Sequence, residues 1–188
     1  MGCDDRDVSE RERMLGGEPY DALDPELVAG RRAARALILE LNAELDEARR
    51  MAMLAGIFGT FGEGTFVEAP IFFDYGANIE MGRDCFVNAN VVILDPGLVR
   101  IGDRTQLATG VQVLTADHPR EADRRAAGIE LARPVTIDED CWIGAGAIVC
   151  PGVEVGAGSV IGAGSVVTRD VPAGVVAVGN PCRVIREL

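Results

Sequence analysis

The chain contains a single histidine, His118, and its surroundings suggest that it transfers a proton. It stands between Asp117 and Pro119 in a segment, residues 115–134, that is dense in charged side chains. Imidazole changes its protonation near neutral pH, so histidine is a natural general base for a hydroxyl group. The proline that follows restricts the local backbone. A lone histidine is usually only a surface residue, but its place in this segment favours a catalytic base.

Three arginines near the C-terminal end are candidates for binding phosphate: Arg169, Arg183 and Arg186. The chain has 18 basic and 30 acidic side chains and a net charge of −12, so a polyanionic ligand must meet a local basic cluster. The guanidinium fork suits phosphate oxygens. The plainer interpretation is that these arginines only keep the C-terminal end soluble.

An aliphatic residue recurs every six positions in the C-terminal third, and this repeat predicts the fold. The members of the series are Ile137, Ile143, Val149, Val155, Ile161 and Val167. Neither the helical period of 3.6 nor the strand period of two gives six. In a parallel β-helix, three hexads make one triangular coil, and the aliphatic residue points into the axis. The repeat therefore predicts a mainly β protein, a parallel β-helix of hexapeptide repeats.

The same period runs earlier in the chain and is interrupted twice. It begins loosely after Phe66 and continues through Met81, Val87 and Ile93. Two extra residues near 95–97 precede the next series, which is Ile101, Leu107 and Val113. The period then stops until Ile137. A solenoid tolerates an insertion only as an excursion from a corner, so residues 115–134 are predicted to form an extruded loop.

The first sixty residues have a helical pattern. Ser9 to Glu12 fits a capping box, and Asp24-Pro25 fits an N-cap followed by proline at the first helical position. A further helix is predicted from about Glu47 to Phe58. We predict one apolar stripe that packs on the first coils, with the members Leu27, Ala34, Leu37, Ile38, Leu41, Leu45 and Ala48. Residues 1–60 are thus predicted as a helical cap, 61–180 as the β-helix and 181–188 as a basic tail.

Composition narrows the class of protein. The net negative charge argues against nucleic-acid and membrane-surface binding. No apolar run is long enough to span a bilayer, and the N-terminus does not fit a signal peptide. Five cysteines without CxxC spacing are typical of reduced thiols rather than of a disulfide frame or a zinc site. We therefore expect a cytoplasmic protein without a metal, and core packing for Cys85 and Cys141.

Taken together, the cap, loop and tail resemble the maltose/galactoside O-acetyltransferases, a family of hexapeptide acyltransferases. The matching segments are residues 16–20, 74–79, Asn88, 115–119, 134–137, 141–144, 151–153 and 179–185. The resemblance covers nearly the whole chain. It implies a left-handed β-helix and a homotrimer whose active sites lie between neighbouring β-helices.

The resemblance also implies a mechanism. His118 matches the base that takes a proton from a sugar hydroxyl, which attacks the thioester of acetyl-CoA directly. The backbone N–H of Ala145 matches the donor to the oxyanion, and Asn88 and Asp74 match residues that contact the acceptor. The positions that line the coenzyme slot are Ala145, Ala163, Thr168, Arg169, Arg183 and Arg186. Trp142 lies in the same coil and can cover the pantetheine arm.

The chain departs from the galactoside branch around the acceptor. Ala22 and Pro96 stand where that branch has acceptor-contacting aspartates, although Asp21, Asp24 and Asp95 are close by. Asp74 stands in place of a serine. Either Asp117 or Glu130 is near enough in sequence to orient the ring of His118, but spacing does not select one, and the plainer interpretation is that both are solvated loop charges. These departures leave the acceptor open.

Two other functions remain compatible with the sequence. One is an acetyltransferase of the same fold with a xenobiotic or serine acceptor, although those branches lack this cap. The other is a non-catalytic β-helical scaffold, against which the matched position of His118 argues. A zinc enzyme of the β-helical carbonic anhydrase type is excluded because it needs three histidines.

Overall fold

The computed structural model describes residues 8–188, and Cys3 lies outside this range. From residue 8 to residue 57 the structure contains three helices and one short strand: α1 (Glu10–Leu15), β1 (Tyr20–Asp21), α2 (Pro25–Ala43) and α3 (Glu47–Ile57). Ser9 makes the predicted capping box with Glu12, and the Asp24 side chain accepts the N–H of Glu26 at the start of α2. These caps satisfy backbone donors that a helix start leaves free.

The apolar stripe of α2 is shorter than predicted. Leu27, Ala34, Ile38 and Leu41 are buried, but Leu45 is 91% exposed. The helix ends at Ala43 because Glu44 is extended and its carboxylate accepts the N–H of Asp46, which turns the chain into α3. The inclusion of Leu45 in the stripe was therefore wrong, and Leu37 and Ala48 are also exposed.

The remainder of the chain is a parallel β-helix with three faces, as the hexads predict. Face 1 contains β2 (Thr60–Phe61), β5 (Ile79–Met81), β8 (Val99–Ile101), β13 (Val135–Ile137) and β16 (Glu154–Val155). Face 2 contains β3 (Phe66–Val67), β6 (Phe86–Val87), β9 (Gln106–Leu107), β14 (Trp142–Ile143), β17 (Val160–Ile161) and β19 (Val175–Val178). Face 3 contains β4 (Ile71–Phe73), β7 (Val91–Leu94), β10 (Gln112–Leu114), β15 (Ile148–Val149) and β18 (Val166–Val167).

The hexad residues fill the axis. All six members of the series from Ile137 to Val167 are fully buried. Burying an aliphatic side chain contributes about 1.5–3 kcal/mol, so the stacked series is a large part of the driving force for this fold. Val67 and Phe73 occupy the same positions in the first turn, and Phe61 places the start of the period before Phe66, where it was predicted to begin.

The insertion at residues 115–134 leaves the β-helix between β10 and β13 and has structure of its own. It contains β11 (Ala116–Asp117), α4 (Ala122–Ala126) and β12 (Ile129–Ala132). β12 pairs antiparallel with β11 on one side and with β1 of the cap on the other. The insertion and the cap are thereby joined in one small sheet.

The C-terminal residues form a strand. β20 (Arg183–Glu187) pairs antiparallel with β19 and extends face 2. Arg183 and Arg186 are thus held on the edge of the β-helix, where we had predicted only a basic tail.

Cys85 and Cys141 are buried, and Cys85, Cys141, Cys150 and Cys182 are free thiols. Within residues 8–188, no group of three histidine, cysteine, aspartate or glutamate side chains has a metal-binding arrangement. The helices of this part of the chain are too short or too polar to cross a membrane.

Candidate active site

His118 is exposed and lies between two adjoining cavities. The first, here called the cap cavity, has a volume of about 300 Å³ and lies between the helical cap and the β-helix; Tyr20, Leu23, Arg31, Asp74, Tyr75 and Glu130 contribute to its lining. The second, here called the coil cavity, measures about 460 Å³ and is lined by Asp117, Arg120, Arg133, Cys150, Pro151 and Thr168. His118 and Ala116 line both. One imidazole can therefore contact a ligand in either cavity.

Ion pairs and hydrogen bonds hold the polar lining of the cap cavity. Arg31 on α2 donates to the Tyr75 hydroxyl over 2.7 Å, and Arg35, one helical turn further, donates to Asp74 Oδ1 over 3.0 Å. Tyr20 donates to Glu130 Oε2 over 2.9 Å. Burial raises the pKa of Tyr75, so its hydroxyl stays protonated at neutral pH.

The side of the cap cavity formed by residues 74–76 is anchored by Asp95. This carboxylate is fully buried, and it accepts the backbone N–H groups of Asp74, Tyr75 and Gly76 over 2.8–2.9 Å. Burial raises the pKa of Asp95 to about 6. Because its carboxylate is fully buried and bound to the backbone of residues 74–76, Asp95 faces the protein interior and does not line the cavity.

In the coil cavity, the Asp117 carboxylate binds two arginines and a backbone N–H rather than the imidazole. Its carboxylate lies 3.4 Å from Arg133 and 3.6 Å from Arg120, and it accepts the backbone N–H of His118 over 2.8 Å. Glu130 accepts from Tyr20. Within residues 8–188, neither candidate carboxylate forms a hydrogen bond to the His118 ring.

The thiol in the coil cavity is not prepared for nucleophilic attack. Burial, together with the Asp117 carboxylate, raises the pKa of Cys150. The thiolate is the reactive form of cysteine, so this shift lowers its reactivity at neutral pH.

The other candidate residues fall at two corners of the β-helix. Asp74, Thr168 and Arg169 directly follow strands of face 3, and His118 lies in the insertion that leaves the β-helix after β10 of the same face; we call this position the first corner. Asn88, Ala145 and Ala163 follow strands of face 2, which we call the second corner. The strands of face 3 separate the two corners, so one chain does not bring all of these residues together. The backbone N–H of Ala145 donates to no other backbone group in residues 8–188.

Comparison with known proteins agrees with this architecture. Residues 13–62 match the maltose acetyltransferase hexapeptide capping motif, and residues 134–169 match the bacterial transferase hexapeptide family. Nodulation protein L of Rhizobium meliloti is 45% identical over 178 residues, which cover 94% of this chain and 97% of that protein.

Two solved structures are also similar. A maltose O-acetyltransferase from Clostridium difficile is 44% identical with a TM-score of 0.93, and the alignment covers 96% of this chain and 97% of the other. A galactoside acetyltransferase in complex with coenzyme A is 37% identical with a TM-score of 0.90, covering 95% and 90%. The chain belongs to the maltose/galactoside O-acetyltransferase family. It is an acetyltransferase of that family.

The predicted coenzyme-binding residues of this acetyltransferase do not all line the same cavity. Thr168 lines the coil cavity, and Arg169 and Arg183 line a further cavity of about 140 Å³. Arg186 is exposed on β20, and Trp142 is 54% exposed on the outside of face 2. Ala163 is exposed at the second corner.

None of the three aspartates considered as replacements for the family's acceptor residues lines the cap cavity of this acetyltransferase. Asp95 is buried, Asp24 caps α2, and Asp21 is exposed and accepts the N–H of Leu23. The side chains of all three bind backbone N–H groups, and of these roles the sequence predicted only the N-cap at Asp24.

Sequence reasoning missed Arg31, Arg35 and Tyr75. Tyr75 was part of a motif that carried the resemblance, but no role was assigned to it. Arg31 and Arg35 are spaced by four residues and so lie on one face of α2. An arginine pair beside an apolar helical stripe was the available signal for a contact with the β-helix.

Proposed function

We propose that this acetyltransferase transfers the acetyl group of acetyl-CoA directly to a hydroxyl of a sugar, with His118 as the general base. The observation that carries the proposal is the position of His118 between the cap cavity and the coil cavity. A base that serves direct transfer must contact both the acceptor hydroxyl and the thioester. This arrangement supplies a cavity for each.

In the proposed reaction, His118 accepts the hydroxyl proton while the acceptor oxygen attacks the thioester carbonyl carbon. The C–O bond forms, the C–S bond breaks, and the proton held by His118 passes to the departing coenzyme A sulfur. No acyl-enzyme is required, which agrees with the raised pKa of Cys150. The Ala145 N–H, free of backbone acceptors in residues 8–188, is the proposed donor to the oxyanion.

The cap cavity is the proposed acceptor site. Asp74 lines it and is held by Arg35, which leaves its second carboxylate oxygen available to a sugar hydroxyl. Asn88 is proposed as a further acceptor contact. Carboxylates and amides that accept or donate to hydroxyl groups are the expected chemistry for a sugar.

The coil cavity and the adjacent arginines are the proposed coenzyme site. Thr168 is proposed to contact the arm near the thioester, and Arg169, Arg183 and Arg186 to bind the phosphates. Local positive charge is needed because the chain as a whole carries a net charge of −12. Trp142, Ala145 and Ala163 are proposed to line the remainder of the slot.

A second copy of the chain is proposed to complete the site. His118 and Asn88 lie at different corners of one β-helix. A neighbouring β-helix that presents its second corner to the first corner of its partner brings the two sets of residues together. We propose a homotrimer in the cytoplasm with three such shared sites.

An acceptor panel tests the proposed function. The protein would be incubated with acetyl-CoA and one acceptor at a time: maltose, glucose, methyl β-galactoside, an amino sugar, serine or chloramphenicol. Free thiol release would be measured in each reaction. Saturable release with a sugar supports the proposal. Release with serine or chloramphenicol alone would move the assignment to a non-sugar acceptor, and release with none would favour a non-catalytic scaffold.

A further inference from the structure

The carboxylate of Asp95 lies directly behind the cap cavity. Asp95 follows β7 and is fully buried. Its Oδ1 accepts the N–H groups of Asp74 and Tyr75 over 2.8 and 2.9 Å, and its Oδ2 accepts the N–H of Gly76 over 2.8 Å. One side chain therefore binds three consecutive backbone donors.

The backbone of Asp95 also binds this turn. The side-chain amide of Asn78, itself buried, donates to the Asp95 carbonyl oxygen over 2.7 Å. Residues 74–78 are thus held to Asp95 at both ends. Burying a carboxylate is unfavourable unless hydrogen bonds compensate, and here the compensating donors are the turn itself.

The anchored turn supplies two side chains to the cap cavity. Asp74 and Tyr75 both line it together with His118. Their positions depend on the backbone of the turn, and Arg35 and Arg31 on α2 bind their side chains from the opposite side. The lining is therefore fixed between α2 and Asp95.

We propose that Asp95 is a positioning residue for acceptor binding: it holds the turn at residues 74–76 so that Asp74 and Tyr75 face the acceptor. This inference rests on the proposed function. Asp95 does not contact the acceptor itself, because its carboxylate is buried and occupied. Within the described residues, Asp95 forms no hydrogen bond to the lining of the coil cavity, so coenzyme binding is independent of it.

The test is Asp95→Asn. Its amide keeps one acceptor oxygen but presents N–H donors to a backbone N–H, so at least one bond to the turn is lost. Losing a hydrogen bond to a charged group corresponds to about a tenfold change in an equilibrium constant. We expect the KM for the most active sugar of the panel to rise about tenfold. The KM for acetyl-CoA should change less than about twofold on the same scale.

Asp103→Asn is the matched control. Asp103 also accepts a backbone N–H, that of Arg83 over 2.8 Å, but it lies between faces 1 and 2, away from both cavities. This variant should leave both KM values unchanged. Equal rises in the two KM values of Asp95→Asn, or no rise in the KM for the sugar, would overturn the proposal.

Hydrogen exchange of the same proteins separates this proposal from the proposed function. In Asp95→Asn, the amides of residues 74–76 should exchange about tenfold faster, while those of β15 should not change. If the wild-type protein acetylates no acceptor, the proposed function fails, and the exchange rates still decide whether Asp95 holds the turn. Unchanged exchange at 74–76 would overturn the anchoring itself.

Asn78→Ala provides the test if Asp95→Asn does not fold. It removes only the bond to the Asp95 carbonyl oxygen. The expected result is the same selective rise in the KM for the sugar, smaller in size, with faster exchange at residues 74–76. A rise confined to the KM for acetyl-CoA, or unchanged exchange, would count against the proposal.

Discussion

The hydroxyl of Tyr20 donates a 2.9 Å hydrogen bond to Glu130 Oε2. Tyr20 belongs to β1 of the cap and Glu130 to β12 of the insertion that carries His118, and the two residues are also paired in register. Burial and the Glu130 carboxylate raise the pKa of Tyr20, so the donor is retained at neutral pH. This bond joins the cap to the segment that contains the proposed base.

Tyr20→Phe should therefore destabilise the protein by about 1–3 kcal/mol, because Glu130 loses its donor in a partly buried site. Urea unfolding followed by circular dichroism measures this change. Glu130→Gln is the control, since its amide keeps an oxygen that can accept from Tyr20, and it should cost less than Tyr20→Phe. An unchanged midpoint for Tyr20→Phe would show that the bond contributes nothing to stability.

Asp95 should give the stability of the protein a specific pH dependence. Burial raises the pKa of Asp95 in the folded protein to about 6 from its ordinary value of 3.8, so the folded state retains the proton more strongly than the unfolded state. The resulting stabilisation is present below the unfolded pKa and is lost as the pH rises through the folded pKa. Relative to Asp95→Asn, the wild-type protein should lose about 2 kcal/mol between pH 4 and pH 7.

Relative to Asp103→Asn, the stability of the wild-type protein should show the opposite pH dependence. Hydrogen bonds from Arg83 lower the pKa of Asp103, so its contribution is present at neutral pH and is lost as the pH falls. Urea titrations of the wild-type protein and both variants across this pH range supply the comparison. A difference between the wild-type protein and Asp95→Asn that does not vary with pH would contradict the assigned shift.

The arginines that line the third cavity should bind the coenzyme. Arg169→Ala and Arg183→Ala should each raise the KM for acetyl-CoA about 10- to 100-fold, because a charge-assisted bond to phosphate is lost. The rise in the KM for acetyl-CoA should be smaller at high salt, because salt screens the attraction between arginine and phosphate. Arg100→Ala is the control, since Arg100 pairs with Glu80 on face 1. If all three variants and the wild-type protein have equal KM values for acetyl-CoA, the assignment of Arg169 and Arg183 to the coenzyme site is wrong.

A shared active site predicts complementation between inactive variants. His118→Ala and Asn88→Ala trimers, mixed after unfolding and refolded together, should regain about a quarter of wild-type activity, because a quarter of the sites receive both intact residues at random. Each variant refolded alone should remain at its own low level. Activity of the mixture equal to the mean of the two parents would mean that both residues act within one chain.

The fold was predictable because its signal repeats. Each hexad from Ile137 to Val167 carries the same information, and each of these residues is fully buried. The caps at Ser9 and Asp24 were predictable because they depend on neighbouring residues only. The prediction that the apolar stripe includes Leu45 was wrong because α2 ends where Glu44 becomes extended. Side-chain periodicity does not indicate this end.

The site was less predictable than the fold. His118 was found because it is unique and interrupts the repeat. The burial of Asp95 and the pairing of Arg35 with Asp74 depend on contacts between segments about 20 and 40 residues apart, and neither pattern nor spacing specifies them. The separation of Asn88 and His118 onto two corners followed only once the strands were assigned to faces.

The most direct test of the account is the turnover of His118→Ala with acetyl-CoA and the best sugar acceptor. His118 is exposed, so its removal should leave the unfolding midpoint unchanged. General bases contribute about 10²–10⁴-fold to rate, and turnover should fall by that factor. A folded His118→Ala protein that retains more than about a tenth of wild-type turnover would contradict the assignment of His118 as the base.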